Sequence, residues 1–314
     1  MAKIACIFPG QGSQYVGMGK ELFATSWGKE VFETGQRVLG EEFIQILLEG
    51  PEEELKKTAN TQPAILLTSV AAWRGLQEAG IRPDYFAGHS LGEYSAYVAA
   101  GSISLEDALK IVRRRGELMQ AAVPEGKGAM AAVLGLENVK VEEACRKARE
   151  EGNWVVGAAN YNSPGQVVIS GESSGVQKAC HYAKDLGAKR AMPLAVSGPF
   201  HSPLMEKAAK DLRPVLEAVN WREPSAPVIS NIDAEEVKER RSIVESLVRQ
   251  VSGAVLWEQS IRYLGEQGVD TFIELGPGKV LSGLVKKILP SVTLMNAEDL
   301  SSLEKLLAYL KESR

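Results

Sequence analysis

Between residues 85 and 100 the chain carries Gly88-His89-Ser90-Leu91-Gly92, set between a short apolar run, Tyr85–Ala87, and a run dominated by small residues from Gly92 to Ala100. No other stretch restricts the fold so tightly. Ile81–Asp84 upstream reads as a turn and Tyr85–Ala87 as a buried strand, and the downstream run reads as a helix. Strand, G-x-S-x-G and helix together make a nucleophile elbow. Such a turn lifts the Ser90 hydroxyl above the sheet edge. Gly88 and Gly92 let strand and helix approach without side-chain clashes, and the Leu91 N–H points to where an oxyanion would form. The plainer alternative is an ordinary strand-to-helix turn with a serine N-cap.

A length of 314 residues allows one large or two small domains with a sizeable core. With 45% hydrophobic and 24% charged residues the composition is that of an ordinary soluble globular protein, and a net charge of -4 gives no footing for nucleic-acid binding. Cys6, Cys145 and Cys180 are odd in number, far apart and without C-x-x-C spacing, so neither a disulfide framework nor a metal site is expected. The apolar run of Met1–Phe8 is too short for a signal peptide, and no run is long enough to cross a membrane. A cytoplasmic enzyme without membrane attachment is the expectation.

Taken in order, Lys3–Phe8 reads as a buried first strand ended by the loop Pro9–Gln14. No G-K-[ST] follows that loop, so it is not a phosphate loop; it either brings backbone N–H groups to a ligand or is a plain surface turn. Helical patterns fill Trp27–Leu39, Pro51–Lys57 and Gln62–Gly80. After the elbow, Ser104 with Asp107 resembles a capping box that starts a helix running to about Ala122. Ala108, Val112, Arg115, Met119 and Ala122 share one face of it, so of the arginines 113–115 only Arg115 points inward. A buried guanidinium needs an anion, either an internal Asp or Glu or a carboxylate on a ligand.

From about Glu125 to Val196 the order is β-α-β-β-α-β, the ferredoxin-like pattern. Its strands fall at Gly128–Leu134, Trp154–Ala159, Gln166–Ser170 and Ala188–Val196, its helices at Glu137–Glu150 and Ser173–Leu186, and a turn at Asn160–Gly165. This stretch reads as an insertion, a small domain at 125–196 inside a large α/β domain built from 1–124 and 197–314. The chain re-enters the large domain through Ser197–Pro203, where prolines bracket Phe200 and His201. Further helices are expected from about Leu204 to Val219 and over Arg241–Val251, Trp257–Gln267, Val280–Ile288 and Ser302–Lys311, with strands at Pro227–Ser230, Asp270–Leu275 and Thr293–Met295. Gln250 falls off the apolar face of its helix, and the charge clusters Glu52–Lys57 and Glu235–Arg241 read as solvated helix surfaces.

A serine hydroxyl needs a base, and the only histidines are His89, His181 and His201. His89 adjoins Ser90 and should project to another side of the turn, packing or hydrogen-bonding behind the elbow. His181 lies on an amphipathic helix and reads as solvated. By elimination His201 is the base. No Asp or Glu between Ser90 and His201 has the loop setting of a triad acid, so a Ser–His dyad with a neutral acceptor at Nδ1 is expected rather than the hydrolase triad.

Taken together, Phe8–Gln14, Gly88–Tyr94, Arg115–Gln120, Asn162–Gly171, Gly198–Met205 and Glu274–Lys279 resemble, in order and over nearly the whole chain, the malonyl-CoA:acyl-carrier-protein transacylase family of fatty-acid synthesis. The resemblance implies an α/β-hydrolase-like large domain, with a mainly parallel sheet, and a ferredoxin-like insertion. It implies Ser90 as nucleophile and His201 as general base, with Gln11 and Leu91 supplying oxyanion-hole N–H groups. Arg115 would hold the malonyl carboxylate, Gln250 would orient His201 through its backbone carbonyl, and Phe200 would favour malonyl over methylmalonyl. Malonyl-CoA and acyl carrier protein are the implied partners of a monomer that uses no metal or other cofactor. Lys279, Lys286 and Lys287 are candidates for docking an acidic carrier, and a solvated helix face explains them equally. A thioesterase-like serine hydrolase and a non-catalytic module with a relic elbow are the competing readings.

Overall fold

The computed structural model describes residues 3–196 and 198–312. The expected domain boundaries at positions 1, 197 and 314, the start of the re-entry segment at Ser197, and Met1 and Ala2 of the N-terminal run lie outside the described residues. The first sheet is built from β1 (Lys3–Phe8), β2 (Tyr85–Gly88), β7 (Val228–Ile229), β8 (Glu236–Val237), β9 (Val269–Leu275) and β10 (Thr293–Ala297), in the order β10-β9-β1-β2-β7-β8. All its pairings are parallel except that of β7 with β8. β1 and β2 lie in register from Ala5 opposite Tyr85 to Phe8 opposite Gly88. The central strands are largely apolar and buried because helices cover both faces, although β9 also carries the buried Thr271 and Glu274. The helix Thr58–Glu78 is buried over most of its length and fills one side.

The topology decides where chemistry can sit. In open parallel sheets, ligands bind beyond the carboxyl ends of the strands, where the strand order reverses. Here β1 lies between β2 and β9. The loops leaving β1, β2, β7 and β9 therefore emerge on one edge, carrying Gln11, Ser90, Asn231 and Gly276–Gly278 respectively.

The second sheet holds β3 (Gly128–Leu134), β4 (Val156–Ser163), β5 (Gln166–Glu172) and β6 (Arg190–Pro193) in the order β4-β5-β3-β6, antiparallel throughout. With helices Asn138–Gly152 and Ser173–Asp185 on one face, this is the ferredoxin-like arrangement, and the whole is an α/β-hydrolase-like unit with that insertion. The two-residue period of the strands assigns the faces. Ala131, Val133, Val167 and Ile169 pack under the two helices, whereas Met130 and Val168 join the main core on the other side. β4 is tied to the first unit by Tyr161 N–H donating to Val255 O (2.9 Å) and Val255 N–H donating to Ala159 O (2.8 Å).

Several elements differ from expectation. A helix at Glu41–Glu49, bracketed by Gly40 and Gly50, stands where no element is expected. The helix expected from Gln62 starts at Thr58 and carries Pro63 in its second turn. β4 continues through Ser163 because pairing with β5 extends it, which leaves Pro164 and Gly165 to make the turn expected over Asn160–Gly165. Glu235–Arg241 is not a helix surface: Glu236–Val237 pairs with β7, and the helix begins at Arg240. Arg113 is half-buried rather than solvated, its guanidinium donating to Asn60 Oδ1 and lying over the Phe43 ring. The Ser104 cap forms as expected, its hydroxyl accepting from Asp107 N–H at 3.0 Å.

Candidate active site

Ser90 sits on the turn between β2 and the helix Leu91–Ala99 with φ 51° and ψ -105°, a strained backbone for a non-glycine residue. The approach is as close as the glycines suggest. A Cβ at Gly88 would fall 2.0 Å from the Gly92 carbonyl carbon, and one at Gly92 would fall 2.1 Å from Phe8 O. Asn231, on the loop after β7, holds this turn from both sides. Its Oδ1 accepts the Ser90 N–H at 2.6 Å and its Nδ2 donates to Gly88 O at 2.6 Å.

His201 arrives from the re-entry loop, also in the left-handed region at φ 56°, and is buried. Its Nε2 lies 2.8 Å from Ser90 Oγ, and its Nδ1 lies 2.9 Å from the backbone carbonyl of Gln250. A carbonyl can only accept, so Nδ1 carries the proton and Nε2 is left to accept the serine O–H. Burial, then the Arg115 charge, lowers the imidazole pKa to about 3, keeping it neutral at physiological pH.

Arg115 is 1% exposed on the helix Leu105–Ala121. Its Nη1 donates to Gln62 Oε1 (2.9 Å), and its Nη2 donates to Gln250 Oε1 (2.8 Å) and Ser90 Oγ (3.1 Å). The guanidinium also stands 5.4 Å from the Tyr94 ring centre. No carboxylate is bonded to it among the described residues, so the internal Asp or Glu considered from the sequence is not in direct contact. Glu93 is the nearby acid, reached only through the Gln250 side chain. Gln250 itself, expected off the apolar face, is 1% exposed: it faces a polar interior rather than water.

A cleft of about 290 Å³ opens beside Ser90. Gln11, Leu91, Arg115, Phe200 and His201 line it, facing Met130, Ala132 and Val168 of the second sheet. Among the described residues the backbone amides of Gln11 and Leu91 find no acceptor in the protein. His89 also lines the cleft instead of lying behind the elbow. Its Nε2 pairs with Asn162 Oδ1 of β4 at 2.8 Å, and its ring stands 5.6 Å from that of Trp257. His181 is exposed and distant from this group. Lys279 pairs with Glu298 at 3.7 Å, Lys286 donates to Pro290 O at 2.6 Å, and Lys287 donates to Gln166 Oε1 at 3.0 Å.

The structure thus gathers Ser90, His201, Arg115, Gln250, Gln11, Leu91 and Phe200 around one cleft. It adds Glu93, Asn231 and Gln62, which sequence reasoning misses. A glutamate in the first turn of a helix otherwise dominated by small residues and tyrosines is the one local hint of Glu93.

The acyl transferase domain family matches residues 5–308. The malonyl CoA-acyl carrier protein transacylase of Bacillus subtilis is 50% identical over 313 residues, covering 99% of this chain and 98% of that protein. That of Haemophilus influenzae is 45% identical, covering 99% and 100%. Among solved structures, an acyl carrier protein S-malonyltransferase from Vibrio cholerae superposes with a TM-score of 0.94 at 44% identity, covering 97% of this chain and 100% of that one. A malonyl-transacylase in complex with a type II PKS acyl-carrier protein superposes at 0.95, also with 44% identity, covering 98% and 100%. With the whole length matched in sequence and in fold, the chain belongs to the acyl transferase family and, within it, to the malonyl CoA-acyl carrier protein transacylases.

Proposed function

We propose that this acyltransferase moves a malonyl group from malonyl-CoA to the phosphopantetheine thiol of acyl carrier protein through a malonyl-Ser90 intermediate. The observation that carries this reading is the buried Arg115 guanidinium, which among the described residues donates only to neutral oxygens, the Gln62 and Gln250 amides and, at 3.1 Å, the Ser90 hydroxyl. A cation built into an apolar cleft beside a nucleophile suits an acyl group that ends in a carboxylate.

His201 Nε2 takes the Ser90 proton as the oxygen attacks the thioester carbonyl. The tetrahedral oxyanion accepts from the Gln11 and Leu91 amides, and one such donor is worth about 3–4 kcal/mol. On collapse the C–S bond breaks, the imidazolium returns its proton to the coenzyme A thiolate, and malonyl-Ser90 remains. The carrier thiol then gives its proton to His201, attacks the ester and regenerates Ser90. The thioester supplies the activated acyl group, so the sequence of steps calls on no metal or other cofactor. Gln250 orients His201 through its carbonyl, and Phe200 closes the acyl end against bulkier extender groups. One chain supplies every group named, which suits a monomer. The basic rim of Lys279, Lys286 and Lys287 is offered as the docking surface for an acidic carrier.

The test is intact-protein mass after mixing with malonyl-CoA without carrier, beside acetyl-CoA and Ser90→Ala. One lasting malonyl adduct, absent with acetyl-CoA and in the variant, is expected. Steady coenzyme A release without adduct would replace this reading with a thioesterase, and neither adduct nor release would end it.

A further inference from the structure

Glu93 is fully buried two residues into the elbow helix and lies outside the lining of the cleft. Its Oε2 accepts two hydrogen bonds, from Asn231 N–H at 3.0 Å and from Gln250 Nε2 at 2.8 Å. Those two partners hold the two halves of the site. Asn231 Oδ1 holds the Ser90 N–H and Asn231 Nδ2 holds Gly88 O. Gln250 Oε1 receives Arg115 Nη2, and Gln250 Nε2 also donates to Ser90 O at 3.0 Å.

Burial raises the Glu93 carboxyl to about 7, and in either protonation state Oε2, with two N–H groups aimed at it, can only accept, which fixes the direction of the chain. With Glu93 as acceptor, the Gln250 amide turns its NH₂ inward and its oxygen toward Arg115. The reversed amide would set NH₂ against a guanidinium and oxygen against a carboxylate. The Glu93 Oε1 atom has no partner among the described residues, so the second oxygen adds nothing to fold the helix in place. A carboxyl group buried at this cost needs a reason in the site.

We propose that Glu93 is a positioning residue for acyl transfer: through Asn231 and the Gln250 side chain it holds the Ser90 peptide and the Arg115 guanidinium in register, so that acyl selectivity depends on a residue that never meets the acyl group. This rests on the function proposed above. The Arg115 charge is the opposite charge facing Glu93, and Asp233, Tyr94 and Tyr97 are the other ionisable groups in its field.

The test uses the full chain with E93Q, E93D, Q250M and the E93Q/Q250M double variant. Q250M keeps the backbone carbonyl that serves His201. Ser90 is counted with a fluorophosphonate probe, and acylation by malonyl-CoA and acetyl-CoA is timed per active serine. E93Q is expected to lower the malonyl-to-acetyl ratio about tenfold, Q250M similarly, and the double variant no further than either single, since coupled sites are not additive. E93D, which keeps a carboxyl group at this position, is expected to retain more of the ratio than E93Q. A ratio unchanged in E93Q while both rates fall together would make Glu93 merely structural, and multiplying losses in the double variant would break the link through Gln250. If E93Q does not fold, E93D decides: an unchanged ratio overturns the proposal and a lowered one that Q250M does not deepen supports it. Wild type that takes no malonyl group would sink the proposed function instead.

Discussion

Replacing Arg115 by alanine isolates what the carboxylate of the acyl group contributes. Gln62, Gln250 and Ser90 take three of the five guanidinium N–H groups and Nε has no partner among the described residues, so an entering carboxylate adds a charged acceptor at the donors still free. A hydrogen bond to a charged group contributes about 1.5–3 kcal/mol, and two from a planar fork about 3–6 kcal/mol. At about 1.4 kcal/mol per factor of ten, kcat/KM for malonyl-CoA should fall by roughly a hundred- to ten-thousand-fold. Acetyl-CoA makes neither bond. It loses only the Arg115 contact to Ser90 Oγ, which both substrates share, so the ratio of the two kcat/KM values removes that shared part. Arg115→Lys should recover little of the ratio, because an ammonium cannot form the fork. Single-turnover coenzyme A release, with intact-mass readout of acyl-Ser90 for both substrates, measures the ratio. A ratio that survives Arg115→Ala would refute the assignment of this guanidinium to the acyl carboxylate.

Gly88→Ala places a methyl group 2.0 Å from the Gly92 backbone, so the variant should lose soluble expression or most of its thermal stability, whereas near-native melting would mean the elbow is looser than described. Phe200→Ser should raise the rate with methylmalonyl-CoA relative to malonyl-CoA, since Phe200 lines the cleft; competition between the two thioesters gives the answer, and an unchanged ratio removes its selectivity role. His201, lowered to about 3 by burial and then by the Arg115 charge, should leave acylation free of an acid limb near the ordinary histidine value in a pH–rate profile of kcat/KM. For stability the sign follows from proton count: between about 3 and 6.5 the unfolded histidine binds a proton that the folded one does not, so stability falls as pH drops through that window. Urea unfolding at pH 5 and 7 should show a smaller acid loss for His201→Gln, and equal losses would contradict the shift.

Much of the fold is legible locally. The elbow needs only five residues and their flanks, because backbone clashes at Gly88 and Gly92 leave few alternatives. The ferredoxin-like order is legible because its strands alternate and its helices are amphipathic. Errors gather where pairing overrides local preference. Asn160 and Asn162 read as turn formers, yet β5 carries the strand through both. Glu236–Val237 is charged enough to read as solvated helix, yet β7 recruits it as an edge.

The site residues divide along a different line. Ser90 and His201 follow from residue type, since serine in an elbow needs a base and only three histidines exist. Glu93, Asn231 and Gln250 do not, because periodicity assigns polar side chains to water. Each is nevertheless buried, and each is satisfied by the others together with the elbow and Arg115: Glu93 accepts from Gln250 and Asn231, Asn231 accepts from Ser90 N–H, and Gln250 accepts from Arg115. A polar group of this kind costs several kcal/mol when buried alone and becomes tolerable when its partners are buried with it. The partners come from positions 93, 231 and 250, so no window of sequence contains the set that makes any one of them sensible. What breaks the pattern rules here is therefore one mutually dependent cluster, and it stands directly behind the nucleophile, where a rigid polar scaffold serves the reaction.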